Sequence, residues 1–324
     1  SCSLADGLCS SCGRPQSRFS VCRSTSTNHL LPDKKMPWQH RILLATDGSP
    51  SAQAALATAA KFPWPPASRA QALVARSNWL PALSEQARAA AKENFRMVAD
   101  ASRRALTRCW PEAKAVFIDE PPGDAILGEA TRFKASLVVL GWRGHGTFRR
   151  LLAGSVSRHV AAQAQCPVLV VREGAKAVRR FVVGFDGCTN SERALEFLSA
   201  LEPGRGRSVV LVNAVQPVQT PASVGRFPSS MRASIRHEVA ALNEKQRLDA
   251  QATVTAGITR LKESGWEAEG EVRFGAPLAS LLAAVGEHRA DVLMLGARAM
   301  GGLENALLGS VANGALDLST VPVL

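Results

Sequence analysis

Short, nearly continuous hydrophobic segments alternate along the chain with longer segments whose hydrophobic residues recur every three or four positions. In the first half the short segments predict β-strands at 41–46, 70–75, 114–118, 137–141 and 167–171. Continuous hydrophobic runs of this length are typical of strands that are buried on both faces of a parallel sheet. Between them, the segment 83–106 predicts a helix with one hydrophobic face, and Ser84 is placed to cap its start.

The second half of the chain has the same alternation. Strands are predicted at 181–186, 208–213, 268–273, 291–296 and from 321 to the end, and a long helical pattern carries Ile235, Val239, Leu242, Ile258 and Leu261. Alternating strands and helices predict an α/β fold with an open, doubly wound parallel sheet. Ligands in such folds bind at the carboxyl ends of the strands, where the strand order reverses.

The two halves are copies of one pattern. Hydrophobic runs end in Asp-Gly at Asp47 and Asp186, which are 139 residues apart, and others end at Gly141 and Gly296, which are 155 apart. The difference between the offsets, 155 minus 139, predicts 16 additional residues in the second copy, in the polar stretch 216–234. We therefore predict two tandem domains, 37–174 and 175–324, with five strands each.

The composition argues against a membrane-spanning, secreted or nucleic-acid-binding protein. The chain of 324 residues is 46% hydrophobic with a net charge of +12, and it has no uncharged apolar run long enough for a membrane span. We find no secretory signal pattern and expect a cytoplasmic protein with reduced cysteines and no membrane partner. The basic charge permits nucleic-acid binding, but the chain shows no nucleic-acid module and no aromatic residues among its basic clusters, so none is expected.

The first 36 residues differ from the rest. They contain four of the seven cysteines and show no helical or strand periodicity, so we expect a disordered N-terminal extension that precedes a natural start at Met36. Cys9 and Cys12 have the spacing of half a zinc site. Because no second pair follows them in this segment, we favour the disordered tail over a metal site.

A glycine-containing loop follows the fourth strand of the first copy. Gly141 and Gly144 are followed by nine residues and then by Gly154 and Ser155, where a helix is predicted to begin. Backbone amides at a helix start attract phosphate, and nearby positive charge is supplied by Arg143, Arg149, Arg150 and Arg158. These features favour a cradle for a di- or triphosphate, although an ordinary connection with solvated arginines explains them equally well.

This loop, the Asp47-Gly48-Ser49 turn and the final Cys166–Val171 segment resemble the universal stress protein family, and the resemblance covers residues 40–324. It implies five-stranded parallel, Rossmann-like domains of the adenine nucleotide alpha hydrolase type. It also implies ATP as ligand, with or without Mg²⁺, and a role in stress response or signalling. Family members pair through the last strand, which here implies intramolecular pairing of the two domains, with a homodimer as the alternative.

The resemblance assigns the nucleotide site to the first copy. Asp47, between Thr46 and Gly48, is implied to contact the nucleoside, and Ala75 or its neighbour Val74 is implied to face the adenine. The ribose and phosphates are assigned to the loop and the following helix start: Gly141, Arg143, Gly144, Gly154, Ser155 and Val156.

The second copy departs from the motif. Asp186, Gly296, Gly309 and Ser310 are retained, but Ala299 stands where the second glycine belongs and Arg298 is the one arginine among residues 296–310. An alanine at a position that needs positive φ is strained and brings a methyl group towards the ligand. We therefore expect weaker or absent nucleotide binding there.

Three functions remain open at this point. The chain is a nucleotide-binding module, a slow ATPase or nucleotidyl transferase that uses the same pocket, or a nucleotide-free interaction protein. We favour binding over catalysis, because no set of residues marks a catalytic base, a nucleophile or a metal site.

Overall fold

The first repeat alternates strands and helices in the computed structural model, which describes residues 40–75, 84–142, 154–172, 177–297 and 308–324. Its elements are β1 (Arg41–Ala45), α1 (Pro50–Ala59), β2 (Arg69–Ala75), α2 (Glu85–Leu106), β3 (Lys114–Ile118), α3 (Pro122–Phe133), β4 (Leu137–Gly141), α4 (Ser155–Gln163) and β5 (Val168–Val171). All five strands pair in parallel, in the order β3-β2-β1-β4-β5. The predicted α/β fold and the predicted strands of this repeat are confirmed.

The hydrophobic core lies on both faces of this sheet. On one face, Ile42, Leu44 and Val139 pack with residues of α1 and α2. On the other, Leu43 and Val138 pack with residues of α3 and α4. Burial on both faces explains why the strands are continuous hydrophobic runs in the sequence.

The second repeat follows the same course. Its elements are β6 (Arg180–Gly184), α5 (Thr189–Ser199), β7 (Ser208–Val215), α6 (Ser229–Glu263), β8 (Glu267–Phe274), α7 (Pro277–Glu287), β9 (Val292–Met294) and α8 (Ser310–Leu318). The strands form a parallel sheet in the order β8-β7-β6-β9. Residues 1–36 lie outside the described residues, and Pro37–Leu324 forms one unit.

The prediction of a fifth strand in the second sheet is wrong. In the segment predicted as that strand, Val323 makes a single parallel bridge to Leu293 and a single antiparallel bridge to Val170 of β5. The amides and carbonyls of Val170 and Val323 exchange two hydrogen bonds, of 2.8 and 3.0 Å. The segment therefore lies between β9 and β5 as an isolated bridge, because its hydrogen bonds are divided between two neighbours.

The two repeats differ most in the connection after their second strand. In the first repeat α2 has 22 residues, and its predicted cap is confirmed because Ser84 Oγ accepts a hydrogen bond from the amide of Ala87 at 3.3 Å. In the second repeat α6 has 35 residues and is preceded by a short 3-10 helix, Ala222–Arg226. Among the helices of the described residues, none combines the length and apolar character that a bilayer span requires.

Candidate functional site

The turn after β1 is held by its own polar groups. Asp47 Oδ1 accepts a hydrogen bond from the amide of Ser49 at 3.0 Å, and the Gly48 amide donates to Thr46 Oγ1 at 3.1 Å. Gly48 has a φ of 78°, a left-handed conformation that favours glycine. Ser49 then caps α1 by accepting from the amide of Ala52 at 3.3 Å. The sequence Thr-Asp-Gly-Ser is thus typical of a tight turn from a strand into a helix. Asp47 lies at the tip of this turn and is partly exposed.

The start of α4 lies beside the end of β4. The amide of Gly154 donates to the carbonyl of Trp142 at 2.9 Å, which brings the two ends together. The helix begins without a side-chain cap; Ser155 is exposed and Val156 is half-buried. An uncapped helix start leaves amide groups available to an anion, and the helix dipole adds a partial positive charge there.

Asp47 and the α4 start meet at the point where the strand order reverses. β1 and β4 are neighbours, with Ala45 opposite Leu140, so the turn after β1 and the residues after β4 leave the sheet side by side. This is the position at which open α/β sheets bind ligands. The structure therefore brings together Thr46, Asp47, Gly48, Gly141, Gly154, Ser155 and Val156 at one edge of the first sheet.

Gly141 has a packing reason to be glycine. A Cβ atom at this position would lie 2.6 Å from Ser51 Oγ and 2.8 Å from the amide nitrogen of Ala52, at the start of α1. Gly154 has a φ of −57° and a ψ of 147°, which other residues also adopt. The glycine at the end of β4 thus allows α1 to approach the strand, a role that the loop motif does not reveal.

The other predicted contacts are distributed differently. Val74 is fully buried beneath Phe95 and Ala99 of α2, so Ala75, which is partly exposed, is the residue of this pair that is accessible at the end of β2. The guanidinium of Arg158 pairs with Asn313 and Asp317 of α8, in the second repeat. Arg143 and Gly144 lie outside the described residues, as do Arg149 and Arg150.

In the second repeat the carboxylate in the turn after β6 accepts two hydrogen bonds. Asp186 Oδ1 accepts hydrogen bonds from the amide of Cys188 at 3.0 Å and from Ser191 Oγ at 2.6 Å. Burial by itself raises the pKa of Asp186, but these hydrogen bonds outweigh it and the pKa lies below the ordinary value. Residue 52 of the first repeat, which is equivalent to Ser191 at the offset of 139, is an alanine and offers no such donor.

The rest of this second site resembles the first. A Cβ atom at Gly296 would lie 3.0 Å from the amide nitrogen of Ser191, so this glycine also lets a helix start approach a strand end. The amide of Gly309 donates to Ala297 at 2.8 Å, and α8 begins at the exposed Ser310 without a side-chain cap. Arg298 and Ala299 lie outside the described residues.

Comparison with known proteins identifies the family to which these two repeats are similar. Residues 39–172 and 177–324 each match the Universal stress protein family. The chain belongs to that family. It is 44% identical over 72 residues to a universal stress protein of Thermus aquaticus and 28% identical over 204 residues to one of Mycobacterium tuberculosis (strain H37Rv).

These matches are partial in length. They cover 22% and 59% of this chain and 52% and 61% of the two relatives, so the chain spans between half and two thirds of the curated proteins it matches. The fold agrees over a longer stretch. The crystal structure of a universal stress protein from Archaeoglobus fulgidus DSM 4304 covers 87% of this chain and 94% of its own, with a TM-score of 0.61 and 19% identity.

Two features of this universal stress protein were missed by reasoning from the sequence. The Ser191–Asp186 hydrogen bond gives no signal, because the two residues are separated by a turn whose geometry the sequence leaves open. Trp142, the first residue after β4, is buried and donates from Nε1 to the carbonyl of Leu316 at 2.9 Å, while the Arg172 guanidinium lies 3.9 Å from its ring centroid. The residue that opens the glycine loop is therefore held by the second repeat.

A cavity of about 190 Å³ opens between the two repeats. Its wall combines Cys166 and its neighbours in the first repeat with Asn190, Arg193, the end of β9 and Leu324. Burial raises the pKa of the Cys166 thiol to about 11, so this cysteine is an apolar wall residue and not a reactive thiolate at neutral pH. Gly296 lines this cavity, whereas Asp186 does not.

Proposed function

We propose that this chain is an adenine nucleotide-binding member of the universal stress protein family, acting in stress response or signalling, and that its first repeat binds ATP. The observation that carries this proposal is the meeting of the Asp47 turn and the uncapped start of α4 at the same reversal of strand order. One group supplies a carboxylate and the other supplies amides, which are the two kinds of partner that a nucleoside phosphate needs.

Each group has a separate role in the proposed complex. The amides at Ser155 and Val156 and the Ser155 hydroxyl hold phosphate oxygens, with Mg²⁺ as a counter-ion where it is present. Asp47 accepts hydrogen bonds from the nucleoside, and Ala75 presents a small apolar surface to the adenine. The described residues fit this ligand because the α4 start is exposed and has no side-chain cap of its own.

The second repeat is proposed to bind nucleotide more weakly or not at all. Its Asp186 already accepts the Ser191 hydroxyl, so a nucleoside hydroxyl must compete with an internal donor. The hydrogen bonds from Cys188 and Ser191 together hold the pKa of Asp186 below its ordinary value, against the effect of burial.

The two repeats are proposed to act as an intramolecular pair. The bonds between Val170 and Val323 and the contacts of Arg158 with Asn313 and Asp317 join the last strand and last helix of one repeat to those of the other. The Trp142–Leu316 bond adds a contact at the start of the glycine loop. These contacts support pairing through the last strands, as the family resemblance implies.

Isothermal titration with ATP tests the proposal with a matched pair of variants. Gly154→Val places a branched side chain at the start of α4, and Gly309→Val makes the same change at the start of α8, where φ and ψ are nearly identical. We expect Gly154→Val to weaken ATP binding at least about tenfold, because the side chain crowds the amides, and Gly309→Val to leave it unchanged. Absence of binding by the wild-type chain, or equal heats for wild type and Gly154→Val, would remove the proposal.

A further inference from the structure

Exposed apolar side chains concentrate on α6 and on the segment that leads into it. Of the eight large hydrophobic side chains exposed in the described residues, five lie in this region: Val218, Phe227, Met231, Leu242 and Leu248. The last three are on α6 and are 50–53% exposed. The buried residues of α6 begin only at Ala250, so the first 21 residues of the helix, 229–249, contribute none to the core. This concentration of exposed apolar side chains on one element makes α6 the candidate for an interaction surface.

One exposed side of α6 runs along most of the helix. Seven positions spaced alternately by three and four residues are all exposed, and we call them the α6 seam: Met231, Ser234, Glu238, Ala241, Lys245, Leu248 and Ala252. Leu242 lies directly beside the seam. Spacing of three and four places residues along one side of a helix, and the small residues Ser234, Ala241 and Ala252 allow a second helix to approach closely. The seam is about 32 Å long at 1.5 Å per residue.

The internal contacts of this half of α6 lie on another face of the helix. Asn243 exchanges two hydrogen bonds with the backbone of Val218, at 2.8 and 3.1 Å. Arg232 donates to the carbonyl of Gly225 at 3.2 Å. Both residues lie outside the seam, so the segment 218–225 covers one side of the helix and leaves the seam open to a partner.

The charges on the seam determine which partner fits. Within the described parts of the chain, neither Glu238 nor Lys245 forms an ion pair. A second α6 in parallel register would place glutamate against glutamate and lysine against lysine. A second α6 that crosses in the antiparallel direction near Ala241 places each Glu238 within about one helical turn, ~5 Å, of Lys245 in the other copy.

We propose that the α6 seam is a self-association surface at which two copies of this chain form an antiparallel helix pair. The charges of the seam match each other in the antiparallel direction, and a two-fold interface requires such a match of one surface with itself. Each copy contributes Met231 and Leu248 as apolar contacts and one ion pair at each side of the crossing point. This surface is separate from the nucleotide site and from the contacts between the two repeats, and it does not depend on the proposed function.

Sedimentation equilibrium of the full chain tests the proposal by charge exchange. We expect a reversible monomer–dimer equilibrium in which Glu238→Lys and Lys245→Glu each weaken the dimer about tenfold, because each variant creates two like-charge contacts. The double variant Glu238→Lys/Lys245→Glu restores both ion pairs in reversed order, so its dissociation constant is expected within about threefold of wild type. Leu248→Glu is expected to abolish the dimer.

Arg236→Glu is the matched control, since it reverses a charge on the exposed surface of the same helix outside the seam. It is expected to leave the dissociation constant unchanged, and circular dichroism verifies that all variants stay folded. A wild-type chain that sediments as a monomer throughout the concentration range overturns the proposal. A dimer that tolerates both Lys245→Glu and Leu248→Glu also overturns it, because that dimer then uses another surface.

Discussion

At the scale of single residues, the turn that presents Asp47 depends on one glycine. Gly48 has a φ of 78°, and a Cβ atom there would lie 3.2 Å from Val98 Cγ2 of α2. Gly48→Ala therefore introduces both an unfavourable backbone conformation and a close contact. We expect it to lower the free energy of unfolding by roughly 1–2 kcal/mol, measured by urea denaturation.

At Gly128, in the same repeat, replacement of glycine by alanine is expected to stabilise the fold. It lies inside α3, and a Cβ atom there would meet nothing within 4 Å. Gly128→Ala is expected to raise the free energy of unfolding by about 0.5–1 kcal/mol, because alanine restricts the unfolded chain and favours helix. Equal shifts for the two glycine variants would contradict the argument from backbone conformation.

At the scale of elements, the start of α2 depends on one side chain. Ser84 Oγ accepts the amide of Ala87 on the solvent-exposed surface, and Glu85 lies in the first turn. Ser84→Ala removes the cap and is expected to cost about 1 kcal/mol of unfolding free energy. Ser84→Asp keeps an acceptor at the same position and is expected to retain wild-type stability. If the alanine and aspartate variants unfold alike, the hydrogen bond contributes nothing.

At the scale of the whole molecule, His40 joins the two repeats. Its Nε2 lies 3.1 Å from the carbonyl of Ala200, which can only accept, so Nε2 carries the proton; its ring also lies 5.7 Å from that of Phe197. Burial lowers the pKa of His40, although the bond to Ala200 opposes the shift. The folded protein therefore binds a second proton on the His40 ring less readily than the unfolded chain does.

This shift predicts a pH dependence of stability. Above the ordinary histidine pKa of 6.5 the folded and unfolded states both hold His40 neutral, and below it only the unfolded state gains the proton. The free energy of unfolding is expected to fall as the pH decreases through 6.5 and to continue falling until the folded-state pKa is reached. His40→Gln is expected to flatten this part of the profile, and a profile of equal slope in wild type and His40→Gln would exclude the interpretation.

Local patterns were sufficient for most of the fold. The strands of the first repeat begin and end within one residue of their predicted bounds, because burial on both faces leaves a continuous hydrophobic signal. The fifth strand of the second repeat was predicted wrongly for a related reason. The segment Val321–Leu324 has the same apolar character as its counterpart in β5. Val323 exchanges its hydrogen bonds with Val170 of β5, whereas Pro322 and Leu324 bond to β9, and no local pattern encodes that division.

The candidate site also has features that the sequence predicted and features that it did not. The turn at Asp47 and the start of α4 follow from residue types at short range, so the sequence alone placed Asp47 after a strand end and Ser155 at a helix start. Tertiary structure decided the other features of the site. It pairs Arg158 with Asp317 on α8, buries Val74 beneath α2, and brings the Ser191 hydroxyl to Asp186 as a hydrogen-bond donor. Hydrophobic periodicity and turn chemistry depend on residues that are close in sequence, so both can be predicted from the sequence alone. The direction of a long side chain, by contrast, depends on which distant groups the packed repeats bring within its reach.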